Sequence, residues 1–297
     1  MPSPYTLLMM QFGFRAHDFG RMPIERLART LHVFAPVTIQ LALTKALDAY
    51  PDAGQLSPGY ARRIRKVLES HDIDIAVLGC YINPVHPDDQ LLDRALARFE
   101  EHLVFCADFG CRLVGTETGS CNPDGSFHPE TASEKTFDRL TRSVERLVRT
   151  AEKFGALVGI EPVADTHVIG SVASMARLLA RIDSPNLRVI HDPVNLLPSA
   201  SPFGPEGPDG NQQRSIFLEA FDAIGEKIAA VHLKDFTYHE GIKSAALPAL
   251  TGHMDVPALL SIISERKGGI DILLENTQMD TAALTLGALK RMATLVQ

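Results

Sequence analysis

Apolar positions along the chain follow two alternating rhythms. Short runs rich in Val, Ile and Leu recur, and each gives way to a longer stretch in which apolar residues return every three or four positions. The short runs predict strands over 5–12, 38–43, 73–81, 112–118, 157–163, 187–193, 228–236 and 271–276. The longer stretches predict helices over 24–32, 58–70, 87–109, 129–154, 172–182, 212–225, 256–267 and 281–296. Pro58, Pro87 and Pro129 suit first turns, where a missing N–H costs nothing, and Gly110, Gly155 and Gly225 suit C-terminal ends. Eight strands alternating with eight helices in 297 residues is the pattern of an α/β protein built as a (β/α)8 TIM barrel, one domain over 1–297. An open doubly wound sheet would carry a Gly-rich turn after an early strand, and no such turn or P-loop pattern occurs. The Pro/Gly-dense segment SASPFGPEGPDG (199–210) follows the sixth strand and reads as a long rim loop, not a linker.

Composition narrows the partners. With 45% apolar and 22% charged residues the chain has ample material for a core. A net charge of −7 weighs against nucleic acid as a partner, and the basic cluster ARRIRK (61–66) reads as a solvated helix face. The opening MPSPYTLLMMQFGF lacks basic residues ahead of its apolar stretch and has no small-residue cleavage site, so a first strand is expected there, not a signal peptide. No run approaches the roughly 18 apolar residues of a membrane span. Cys80, Cys106, Cys111 and Cys121 form no C-x-x-C pair and are expected as free thiols in a reducing, cytoplasmic setting.

Candidate chemistry gathers at the C-terminal ends of four consecutive strands, the rim where a barrel builds its active site. LVGIEPV places Glu161 there, LRVIHDPVN places Asp192, IAAVHLKDF places His232 and DILLEN places Glu275. Period-two alternation turns Glu161 inward with Gly159, His232 and Lys234 inward, and Glu275 inward with Leu273. Three carboxylates brought together repel, and a divalent cation relieves that repulsion. Singly, each residue is more often an ion-pair partner, a turn cap or a core histidine. Their coincidence on four successive strands favours a metal site of three oxygens and one imidazole, a hard set suited to Mn2+, Mg2+ or Co2+, with Zn2+ also possible.

Secondary candidates surround this set. Lys234, on the same face as His232, is expected to meet substrate oxygens, with Asp235 orienting it. Glu117 in GTETG is either a substrate contact or an ion-pair partner. Asn83 and His86 follow the third strand, either near the substrate or as turn residues, and Asn195 lies just beyond Asp192 as a further substrate-binding candidate. His191 should face away from Asp192 and be structural, and His253 sits in a loop that could reach the substrate, with plain exposure the simpler reading. No Gly-rich turn after the seventh or eighth strand would cradle a phosphate.

In the fragments YINPVHPD (81–88), GIEPV (159–163), HDPVNLL (191–197), VHLKDF (231–236), TGHMD (251–255) and ILLEN (272–276) the chain resembles the sugar phosphate isomerase/epimerase family of the xylose-isomerase-like TIM-barrel superfamily. The resemblance implies one divalent metal, often Mn2+, held by Glu161, Asp192, His232 and Glu275, with the two glutamates doubling as acid/base groups. It also implies a small carbohydrate substrate and allows homo-oligomerisation. The H-L-K-D stretch is shared with inosose dehydratase-like lyases. Ketose epimerases and endonuclease-IV-like relatives usually carry His where this chain has Asn195. The epimerases tend to carry Arg at the position of Tyr238, and the family's G-x-G-x-V-D turn keeps Gly252 and Asp255 but has Leu250 in place of its first glycine. The implied reaction is isomerisation or epimerisation through a metal-stabilised enediolate, with dehydration as the alternative and a nuclease or a non-catalytic sugar-binding barrel behind it.

Overall fold

A computed structural model of the chain describes residues 10–296, so the first part of the strand expected over 5–12 lies outside the described residues. Ten strands follow in chain order: β1 (Gln11–Arg15), β2 (Val37–Leu41), β3 (Ile73–Gly79), β4 (Leu113–Glu117), β5 (Leu157–Glu161), β6 (Leu187–His191), β7 (Ile228–Leu233), β8 (Asp235–His239), β9 (Ile242–Leu247) and β10 (Asp271–Leu274). Eight of them close a parallel barrel in the order β1-β10-β7-β6-β5-β4-β3-β2. The (β/α)8 expectation holds. Around it stand α1 (Ile24–His32), α2 (Leu43–Ala46), α3 (Pro58–Glu69), α4 (Asp89–Phe105), α5 (Glu134–Phe154), α6 (Val172–Arg181), α7 (Gly210–Ile224), α8 (Val256–Arg266) and α9 (Met279–Val296). None of these helices is long and apolar enough to cross a membrane.

Local chemistry sets the helix ends. Ser57, Asp88, Ser133, Ser171 and Asp209 each accept a backbone N–H in the first turn of the helix that follows. Capping explains two shifts from the expected boundaries. Asp88 caps α4, so Pro87 lies just outside it, and Ser133 caps α5, leaving Pro129–Ala132 as a separate 3-10 turn. Gly155 closes α5 in the left-handed conformation at φ 68.

Most of the apolar core lies between barrel and helices, while a second cluster of Val77, Leu113, Ile190, Ala230 and Leu273 plugs the barrel interior. Ile190 needs space opposite it. A Cβ on Gly115 would stand 2.5 Å from Ile190 Cδ1, so glycine there lets the plug fill the bore. The plug forms the floor on which the polar strand ends sit. All four cysteines are free.

The expected seventh strand splits in two. It leaves the barrel after Leu233, and β8 pairs antiparallel with β9 as a hairpin. Asp235 is the cause. Its buried carboxylate accepts from the N–H groups of Phe236 (2.8 Å), Thr251 (3.0 Å) and Met254 (2.8 Å), drawing the chain toward the 251–254 loop. It therefore does not orient Lys234, contrary to the sequence-based expectation. The hairpin is bonded in turn to the rim loop after β6, through Ser201 N–H to Gly241 O (2.7 Å) and Lys243 N–H to Ser199 O (2.9 Å).

The half-kept glycine turn now has a structural sense. Leu250 adopts φ 68, the left-handed backbone that a glycine would take without strain. Gly252 cannot be replaced so easily, because a Cβ there would lie 2.3 Å from Phe236 O and 2.5 Å from Asp235 Oδ1. Gly252→Ala is expected to destabilise the protein by about 1–3 kcal/mol, the usual range for overpacking. Thermal denaturation of the two proteins measures it; an unchanged midpoint would show that Asp235 does not hold this turn.

Candidate metal centre

Each of the four strand-end candidates lies at the last residue of its strand or beside it, on the inward face. Glu161 ends β5, Asp192 follows β6, His232 is the penultimate residue of β7 and Glu275 follows β10. All four are buried, and one ligand atom from each lies within 4.8 Å of the others, a group that can hold a metal ion. His232 Nδ1 faces the carboxylates, 3.1 Å from Glu161 Oε1 and 3.2 Å from Glu275 Oε1. Asp192 Oδ1 accepts the N–H groups of Val194 (2.8 Å) and Asn195 (3.0 Å), which fixes the carboxylate in the turn after β6.

The other oxygen tests the fit of a cation. Asp192 Oδ2 is buried and has no partner in hydrogen-bonding geometry, although the Lys234 ammonium stands 2.8 Å away as an ion contact. With that ammonium beside it the oxygen has its charge balanced in the metal-free group, so the fit of an ion rests on the chemistry of the donor set. Three hard oxygens and one imidazole converging on one point suit a divalent ion of the Mg2+ or Mn2+ type.

Lys234 and Asn195 join the group directly. Lys234 Nζ reaches Glu275 Oε2 (3.0 Å) and Asn195 Oδ1 (2.7 Å), and Asn195 Nδ2 donates to Glu161 Oε1 at 2.8 Å. Asn195 thus bridges a carboxylate and the ammonium. Glu117 stands at the neighbouring strand end, in register with Glu161, and pairs with His167 Nε2 at 3.3 Å. Asn83 lies apart from the group. Its amide donates to the carbonyls of Ser120 (2.8 Å) and Asn122 (3.2 Å) and braces the β4–α5 loop. His86 is likewise a turn residue, bonded to Asp88 N–H. His191 points outward, buried against Phe221, and His253 is exposed.

The electrostatics are unequal. Burial pushes the Glu161 carboxyl up, more than the His232 charge pulls it down. Burial acts on Glu275 in the same sense, but His232, Lys234 and Arg15 together bring it down to about 2. For His232, burial favours the neutral ring, yet the charges of Glu161 and Glu275 outweigh it and raise the imidazole to about 9. Lys234 is also raised, by Asp192 and Glu275 against its burial. Burial tends to raise Glu117, and the His167 hydrogen bond and charge overcome it, leaving its carboxyl below the usual range.

Several site residues have no counterpart among the sequence candidates. Arg15, at the end of β1, reaches Glu275 Oε1 (3.0 Å), Asn276 Oδ1 (3.0 Å) and Asp18 Oδ1 (2.9 Å). Gln40 in β2 accepts from His232 Nε2, and Tyr81, just beyond β3, bonds Gln40. A signal for Gln40 exists in the sequence. Thr38 and Gln40 alternate with Val37, Ile39 and Leu41, which marks a polar inward face in an otherwise apolar strand.

A family model described as "Xylose isomerase-like TIM barrel" matches residues 38–293 of the chain. Solved structures share the fold. A D-tagatose 3-epimerase-like protein is 15% identical, covers 97% of this chain and 98% of its own, and superposes with a TM-score of 0.71. For an L-ribulose 3-epimerase the identity is 14%, the coverage 97% and 98%, and the TM-score 0.68. A xylose isomerase-like TIM-barrel protein from Mycobacterium smegmatis, solved in complex with magnesium, is 15% identical over 100% of both chains, with a TM-score of 0.69. No curated protein matches the chain in sequence.

Proposed function

The chain belongs to the xylose isomerase-like TIM-barrel family, and from that membership we propose that it is a divalent-metal-dependent isomerase or epimerase of a small sugar or polyol-derived carbonyl compound. The observation that carries the proposal is the buried convergence of Glu161, Asp192, His232 and Glu275 at the C-terminal rim of the barrel. These four are the proposed ligands, with Mn2+ the proposed ion. When bound, such an ion supplies electrophilic stabilisation of the negative charge that develops on a carbonyl oxygen as the neighbouring C–H is deprotonated.

The chain's own residues do the proton work. Glu161 and Glu275, whose Oε1 atoms stand 3.1 and 3.2 Å from His232 Nδ1, are the proposed acid/base pair. In the metal-free group burial raises the Glu161 carboxyl, while His232, Lys234 and Arg15 lower that of Glu275 against its burial, so the two are inequivalent before any ion binds. Proton return to the opposite face of the same carbon gives an epimer; return to the adjacent carbon gives an isomer. Lys234 is the proposed donor to a substrate oxygen, and Asn195 positions both Lys234 and Glu161. Arg15 and Lys234 are both paired with carboxylates, which favours an uncharged substrate over a phosphorylated one. The structural neighbours named as tagatose and ribulose epimerases support a carbohydrate.

Metal analysis of the purified protein and incubation with D-tagatose and L-ribulose in D2O test the proposal together. A stoichiometric divalent ion and deuterium at the carbon next to the carbonyl, in an isomeric product, are expected. An α,β-eliminated product would move the assignment to the dehydratase-type lyase. No divalent-metal uptake at all would overturn it.

A further inference from the structure

Three side chains running away from the ligand group form a hydrogen-bonded line whose direction is set from one end. His232 turns Nδ1 to the carboxylates, so Nδ1 is the nitrogen available to a metal. A ligating imidazole nitrogen carries no proton, which places the ring proton on Nε2. That nitrogen faces Gln40 Oε1 at 2.5 Å, and the amide oxygen must accept. The amide NH2 is thereby turned to Tyr81 Oη, also at 2.5 Å, and the phenol oxygen accepts in its turn. A phenol that accepts from Gln40 keeps its own O–H free. Among the hydrogen bonds of the described residues, Tyr81 Oη takes part only in that one.

The surroundings hold Tyr81 in this role. Gly79 lies two residues before it on the same inward face, and a Cβ there would crowd Tyr81 Cε2 (3.3 Å) and Gln40 Nε2 (3.4 Å). Lys45 Nζ stands 3.7 Å from the ring centroid. Burial and the charges of Glu161, Glu275 and Glu117 keep the phenol protonated, well above its ordinary range, and mark it as facing the site.

We infer that Tyr81 is a further substrate-contacting residue, whose O–H donates to a carbonyl or hydroxyl oxygen of the substrate, and that Gln40 is the positioning residue that fixes both the His232 tautomer and the direction of the Tyr81 hydroxyl. The inference rests on the metal-dependent function proposed above. It goes further by assigning a second hydrogen-bond donor, on the β2–β3 side, opposite the one Lys234 would supply. The donor selects for an oxygen acceptor and against a cationic group.

Three variants of the full chain separate the roles, read by Mn2+ affinity in chelator competition and by D-tagatose and L-ribulose binding to the Mn2+-loaded protein in calorimetry. Tyr81→Phe is expected to keep Mn2+ affinity within about twofold and to weaken the ketose about tenfold, the effect of one lost hydrogen bond. Gln40→Leu is expected to weaken Mn2+ by about 10–100-fold, as loss of a metal-histidine's outer partner does. Gln40→Glu offers two acceptor oxygens, so it takes both the Nε2 proton and the Tyr81 proton. It should keep Mn2+ affinity yet reproduce the ketose loss of Tyr81→Phe, which a purely structural role for Tyr81 would not produce. Wild-type ketose binding by Tyr81→Phe or by Gln40→Glu overturns the inference while leaving the metal function standing. A wild-type protein that takes up Mn2+ but binds neither ketose overturns both.

Discussion

The Glu161→Gln protein is expected to exchange substrate hydrogen with solvent about 10²–10⁴-fold more slowly than wild type, the usual range for loss of a general acid or base. Glutamine matches glutamate in volume, so the barrel end around β5 keeps its packing. What changes is proton capacity: the amide cannot take a proton from carbon. Its neighbours make the exchange worse, because Asn195 Nδ2 donates to Glu161 Oε1 from 2.8 Å and His232 Nδ1 stands 3.1 Å from the same oxygen. An NH2 group turned toward either would meet a donor or a nitrogen wanted by the metal. Metal affinity should fall as well, since one anionic ligand is lost, so exchange must be compared at saturating Mn2+ with metal content measured on the same sample. Exchange within threefold of wild type under those conditions would remove Glu161 from the chemistry and leave it a ligand only.

The barrel and its four converging residues were legible because both follow from local rules. Alternation of strand and helix sets the topology, parallel strands bring their C-terminal ends to one rim, and period two decides which strand-end residues face inward. Glu161, Asp192, His232 and Glu275 needed nothing else. The β8–β9 hairpin was not legible, because VHLKDF continues an apolar run across the point where the chain leaves the barrel. What ends the run is Asp235 accepting from Thr251 and Met254, contacts formed only once the 251–254 loop is in place. Arg15, Gln40 and Tyr81 were missed for a related reason. Their inward face is readable strand by strand, but the partner across the bore is not. Gln40 and His232 are bonded across 192 positions of sequence, and nothing local in VTIQL says which residue its amide meets. The same applies to Lys234. Its face was readable, whereas its contacts with Asp192, Asn195 and Glu275 depend on two other strand ends, those of β6 and β10.

Metal affinity is expected to rise about tenfold per pH unit from pH 7 to 9, about 100-fold in all, and to level off above. The cause is the charge balance of the metal-free group. Three buried carboxylates, Glu161, Asp192 and Glu275, are met by the Lys234 ammonium, the Arg15 guanidinium and the His232 ring. Burial opposes the charge on His232 more than any single neighbour supports it, but the carboxylates together win and hold its pKa at about 9 against an ordinary 6.5. A metal needs that nitrogen bare, so below pH 9 binding must expel a proton, and each unit of acidity weakens it by the same factor. Calorimetry in buffers of different ionisation enthalpy should therefore count about one proton released per ion at pH 7 from His232, with more toward acid pH as Glu161 gives up its own. The sign for stability runs the other way in the metal-free protein. A raised folded-state pKa contributes stability that is full below 6.5 and is lost as pH climbs through about 9, so its melting point should fall across that window. The metal-loaded protein has no such proton to lose and should hold its melting point there. Affinity independent of pH between 7 and 9, with no proton released, would mean that His232 is neutral before the ion arrives and that Lys234 and Arg15 alone balance the carboxylates.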